Sequence, residues 1–224
     1  AAAKLDAALN DDTVAQFPLL EPIKAASYLA HAIFSPPDTV LALKTPPDTQ
    51  VLVSALAHYA RALAFASSQK PEEAQREIDA IAILETGADF SAYEAWYVPG
   101  KEIVQTARLV ATARLADAQG DLAAAASAYE AAIAVEDALS YMEPPYWYYP
   151  IRQSLGSVYL RQGRLDEAEN ALRQSLLRVR GNGWALAGLV EAYARKGDAA
   201  AEASTRQAFE RAWFGPTPPD IARL

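Results

Sequence analysis

The only imidazoles in this 224-residue chain are His31 and His58, and cysteine is absent. A histidine-based metal site needs a second histidine or a carboxylate at the spacing of a metal motif. Neither histidine has one, and they fall in different helical segments, so both read as structural. Without cysteine there is no thiolate nucleophile, disulfide or cysteine-ligated metal. The stretch GNGWALAG at 181–188 has the look of a dinucleotide loop, but its third glycine is two positions late and no strand precedes it. The acidic pairs Glu72-Glu73 and Asp166-Glu167 open helices, where the macrodipole favours negative charge. No G-x-S-x-G or phosphate loop occurs, so neither catalysis, a metal nor a cofactor is expected.

The residues better suited to chemistry are aromatic. In EPPYWYYPIRQSLG, 143–156, four consecutive rings, Tyr146 to Tyr149, lie between Pro145 and Pro150. The prolines stiffen the segment, so little entropy is lost when the rings are held in place. Two readings compete. Large rings bury up to roughly 250 Å² each and fill cores; Tyr, Trp and Arg also dominate binding hot spots.

What positions these rings is a repeat. Segments starting at Leu109, Gln153 and Ala185 share one helix–turn–helix template, with turn glycines Gly120, Gly163 and Gly197. The last two are 34 residues apart, the tetratricopeptide period, while the first interval is 43, which places a nine-residue insertion between Asp137 and Tyr149. Leu155, Gly156 and Tyr159 put a large residue, a small one and an aromatic on one face, with Ala168 of the following helix expected against them. Ala125, Tyr129, Ala132 and Tyr193 repeat parts of this face. A weaker unit starts near Ala55, with Ser68-Gln69-Lys70 in place of the glycine turn and Pro71 opening its second helix. Residues 85–100 read as a long connection. Upstream, EPIKAASYLAHAIF and DTVLALK read as a medium and a short helix, with Asp38 and Asp48 as N-cap candidates.

No strand pattern is present. The expected fold is all-α, a tetratricopeptide-like helical-hairpin solenoid winding as a right-handed superhelix. Its domains are an N-terminal helical segment, 1–54, and a repeat domain, 55–224, with units near 55–88, 106–137, 149–182 and 183–214. In that register the first helices line a concave groove. Its expected lining is Arg114 and Asp117, then Gln153, Ser157 and Arg161, then Trp184, Glu191 and Arg195. This is not the Lys/Asn-dominated set that clamps a terminal carboxylate.

Charge narrows the partner. Residues 1–148 carry 9 Lys+Arg against 20 Asp+Glu, whereas residues 149–213 carry 10 against 7. An acidic chain without a dominating basic stripe repels phosphate backbones, so nucleic acid is not an expected partner. No run reaches the roughly 18 apolar residues of a membrane span. The opening AAAKLDAAL has neither an initiator Met nor a signal pattern, which suggests a processed form or a fragment.

PPYWYYPIRQSLGSVYLRQGRLDEAE, followed by GNGWALAGLVEAY, resembles the C-terminal part of a bacterial tetratricopeptide-repeat family. Its members carry P-P-x-W-Y-Y-P-V-R-Q-S-L-G and G-N-G-W-A-L in this order. HYARALAFA at 58–66, EDALSYMEPP at 136–145 and FERAWF at 209–214 extend the resemblance to about the last three quarters of the chain. These motifs are specific to the family and silent on activity. Because members are longer and often secreted, the resemblance implies a C-terminal half and a periplasmic setting; the cytoplasm is the alternative.

The expected function is a protein-interaction scaffold that binds a peptide or partner protein through the groove and the aromatic loop 138–149. The expected partner-binding residues are Tyr146, Trp147, Tyr149, Arg152, Gln153, Arg161, Trp184 and Arg195. The alternatives are an accessory module of a larger periplasmic enzyme or metal-handling protein, and a structural subunit of a large complex.

Overall fold

The computed structural model describes residues 2–47 and 49–221, and among these every regular element is helical. They are α1 (Ala2–Ala8), α2 (Asp11–Gln16), a 3-10 turn (Pro18–Leu20), α3 (Glu21–Phe34), α4 (Pro37–Leu41), α5 (Val51–Ser67), α6 (Pro71–Gly87) and α7 (Ser91–Glu94). There follow α8 (Gly100–Ala118), α9 (Leu122–Ala138), α10 (Arg152–Gln162), α11 (Leu165–Arg178), α12 (Gly183–Lys196) and α13 (Ala199–Ala212). The chain forms two compact units, one of Ala1–Gly120 with Ala134–Tyr148, the other of Asp121–Ile133 with Tyr149–Leu224.

In the first unit α5 is the central element and packs against α3, α4, α6 and α8. Its sequence, VLVSALAHYARALAFAS, is apolar on nearly every face, as a helix surrounded by others must be. The backbone N–H groups of Leu52 and Val53 at its start have no intrahelical acceptor. The buried Glu21 carboxylate of α3 accepts both, at 2.8 and 3.4 Å, and takes a third bond from the Tyr93 hydroxyl at 2.8 Å. Burial nevertheless raises the Glu21 carboxyl above its ordinary range. Lys24, one turn further along α3, is also buried and donates to the Leu9 carbonyl and to Asp11. This ties the N-terminal residues to α3.

Local signals explain the helix ends. Asp38, expected as a cap, lies inside the first turn of α4 with no capping bond; Pro36 holds the cap position and Pro37 opens the helix. Pro37 suits the first turn because it lacks the N–H that would go unpaired there. Asp48 lies outside the described residues. The expected connection after α6 contains the one-turn helix α7.

In the second unit each of α10 to α13 packs on the next, and α10 also touches α12, so the first helices of successive hairpins lie side by side. The 34-residue register reappears in two tyrosines, whose acceptors lie one turn apart on the preceding second helices. Tyr159 donates its hydroxyl to Glu130 of α9, and Tyr193, 34 residues later, donates to Glu169 of α11. Gly163 and Gly197 adopt φ of 76° and 75°, the left-handed turn that reverses the chain. Gly156 allows the close approach within the first of these hairpins. A Cβ there would lie 2.5 Å from Cγ of Leu172, not against Ala168 as expected. Helical side chains lean towards the N-terminus, so Leu172 covers the spot one turn before it.

Candidate functional site

Within the insertion, adjacent rings take opposite roles. Trp147 is 4% exposed and meets Tyr59 of α5 edge to face, with ring centroids 5.3 Å apart. Tyr148 packs on both, and its hydroxyl lies 2.7 Å from that of Tyr59. These two rings anchor the loop in the first unit's core. Tyr146 stays half-buried and donates to the backbone carbonyl of Tyr97 at 3.1 Å. This brings together two loops far apart in sequence. The same two loops expose Trp96 (57%), Tyr97 (90%), Tyr141 (86%) and Met142. Tyr97 adopts φ of 59°, a left-handed conformation rare for a bulky residue. Sequence reasoning placed Trp96 and Tyr97 in a connection and missed them. The signal was there, since AWYVPG sets aromatics beside Pro99 just as the insertion sets them beside Pro144, Pro145 and Pro150.

The remaining expected contact residues lie in the second unit. Tyr149 accepts a bond from Ser154 at 3.2 Å. Gln153 is buried and accepts from Asn182 at 2.7 Å, which joins α10 to the start of α12. Arg195 donates to the Leu160 carbonyl at 2.6 Å, tying the ends of the same two helices. Arg161, the register counterpart of Arg195 34 residues earlier, is half-buried on the stripe shared by Gln153 and Ser157. Trp184 is half-buried edge-on to Trp213, with centroids 5.3 Å apart. On the nearly opposite side of α10, Arg152 lines an open recess of about 400 Å³ with Leu155, Tyr159, Glu130 and Glu167. Burial and the Glu130 bond push the Tyr159 phenol up to about 12.

The histidines sit in polar pairs of the first unit. His31 Nδ1 lies 2.8 Å from Ser35 Oγ, and His58 Nδ1 lies 2.6 Å from Glu77, which also accepts from Arg61 at 2.8 Å. Burial alone would raise the Glu77 carboxyl, but the bonds from His58 and Arg61 outweigh it and hold it low. Among the described residues no group of three His, Asp or Glu side chains is placed to hold a metal ion. No helix among them is long and apolar enough to cross a membrane.

Paired helices, left-handed reversals at 34-residue spacing and the glycine-mediated close approach define an all-α helical-hairpin repeat protein. Comparison with protein families gives the repeat its name: the tetratricopeptide repeat matches residues 149–178, the hairpin of α10 and α11. No curated protein and no solved structure matches the chain. The chain thus contains a tetratricopeptide repeat, a type of unit that commonly mediates protein–protein interaction and is typically a scaffold rather than a catalyst.

Proposed function

We propose that this chain is a protein-interaction scaffold that takes a protein or peptide segment on the exposed aromatic surface of its first unit, residues 96–97 and 141–146. The observation that carries this reading is the bond from Tyr146 to the Tyr97 carbonyl, which holds two ring-bearing loops together at the surface. Folding gains little from rings left this exposed, and Tyr97 adopts its backbone conformation at a cost of roughly 1–2 kcal/mol. Rigid Tyr and Trp side chains lose little entropy on contact and are the usual anchors of interfaces.

Charge supports a basic segment as the ligand. Residues 1–148 carry 11 more acidic than basic side chains, and Glu94 and Glu143 lie in or beside the two loops. Lys or Arg of the partner would be drawn by this field and would stack on the rings. The acidity weighs against nucleic acid. The test is affinity purification of the full chain from its source cells, followed by dissociation constants for the partner with wild type and with Trp96→Ala/Tyr97→Ala. A loss of about thirtyfold is expected, the equivalent of about 2 kcal/mol, with the thermal midpoint unchanged within a few degrees. A folded double variant that holds the partner undiminished refutes the surface.

A further inference from the structure

We infer that residues 214–221 act as a ligand in cis, their end seated on the second unit's groove where it competes with a proline-containing segment of a partner. After α13 ends, FGPTPPDI leaves the helical repeat. Its three prolines fix φ and favour an extended chain that reaches roughly 3.1 Å per residue. The segment starts at Trp213, whose ring is wedged between Trp184, Phe209 and the backbone of Gly183. One bond bends the segment back on its own start, and one ties its end to α10. Trp213 Nε1 donates to the Thr217 carbonyl at 2.7 Å, and Ser157 Oγ donates to the Ile221 carbonyl at 2.5 Å.

Ser157 is the informative residue. It lies on α10 one turn from Gln153 and one from Arg161, on the stripe that the repeat register assigns to the groove, and it is 1% exposed. A buried hydroxyl needs a partner, and this one is aimed at a main-chain carbonyl of the tail. The Ser157 bond reads backbone rather than a side chain, so it tolerates varied sequence. Charge agrees, since residues 149–213 carry three more basic than acidic side chains and the segment contributes Asp220. The tail therefore represents the ligand class: a short non-helical segment containing prolines, lacking basic residues, and bound through a main-chain carbonyl. This inference does not depend on the aromatic surface of the first unit.

Two measurements on the full chain test it. In nuclear magnetic relaxation, the backbone order parameters of Asp220 and Ile221 should be those of a fixed loop in wild type and should fall to free-chain values in Ser157→Val. In the second, a labelled peptide with the sequence of residues 214–221 is titrated into wild type and Gly215→Val. A Cβ at Gly215 would lie 2.7 Å from Trp213 Nε1, so valine forces the segment and that ring apart. The variant should bind the peptide at least tenfold more tightly than wild type, where the tethered segment competes at high effective concentration. Adding Ser157→Val should remove most of that gain. Free-chain order parameters at Asp220 and Ile221 in wild type, or equal peptide affinity of wild type and Gly215→Val, overturn the inference.

Discussion

Replacing Trp147 by alanine separates packing from binding at the aromatic loop. The ring is 4% exposed, in edge contact with Tyr59 and tilted contact with Tyr148. Burying a ring of up to roughly 250 Å² at about 25 cal/mol/Å² sets an upper bound near 6 kcal/mol. Residual burial in the denatured chain lowers that bound by roughly 10–40%. Truncations of buried Trp or Phe to Ala cost about 3–5 kcal/mol, cavity included, so about 4 kcal/mol is expected here. At about 2–4 °C per kcal/mol for a chain of this length, the first unit's thermal midpoint should fall by about 8–16 °C. Trp147→Phe should lose about half as much. Urea unfolding followed by far-ultraviolet circular dichroism measures the change. A loss below about 1 kcal/mol for the alanine variant would refute the core assignment and return Trp147 to the surface.

Three further outcomes follow from individual contacts. Gln69 holds φ of 58° at the α5–α6 reversal, where the later hairpins place glycine, so Gln69→Gly should raise stability by about 0.5–1 kcal/mol in thermal melts. Gly156→Ala should destabilise by about 1–3 kcal/mol despite alanine's helix propensity, because its Cβ would meet the fully buried Leu172; a neutral or stabilising effect in urea unfolding contradicts the close approach. Lys24 and Lys44 hold the Asp11 carboxyl well below its ordinary range. Its contribution is therefore present above the unfolded value near 3.9 and is lost as pH falls towards the depressed folded value. Asp11→Asn should cost about 1–3 kcal/mol at pH 7, discounted because Asp11 is one-third exposed, and the gap to wild type should narrow below about pH 4.

The second unit was legible because its constraints are local and recur. A left-handed residue ends each first helix, a short turn follows, and an apolar stripe faces the next helix, so Gly163, Gly197, Tyr159 and Tyr193 could be placed by spacing. The first unit depends more on contacts that no period encodes. Glu21 caps α5 from 31 residues away, and Lys24 binds Asp11 across 13 residues. Neither leaves a trace in hydrophobic patterning, and α1 and α2 went unread with them. The aromatic loop failed for a related reason. In a non-helical segment nothing periodic says whether Tyr146 or Trp147 turns inward, and the choice is made by Tyr59, 88 residues before Trp147.

The division between repeated and unrepeated positions also bears on where binding resides. A residue that recurs at 34-residue spacing must satisfy the same neighbour interface in each copy, and its polar groups are committed to that interface. Tyr159 and Tyr193 each give their hydroxyl to a glutamate of the preceding second helix, and Arg195 gives a guanidinium N–H to the Leu160 carbonyl. Gln153, expected at the groove wall, is joined to Asn182. Such side chains stabilise stacking and have little left to offer a ligand. Trp96, Tyr97, Tyr141 and the segment 214–221 have no counterpart in the repeat, so stacking does not dictate them. On the proposed reading, specificity is carried by what departs from the repeat: the aromatic loops of the first unit and the tail of the second.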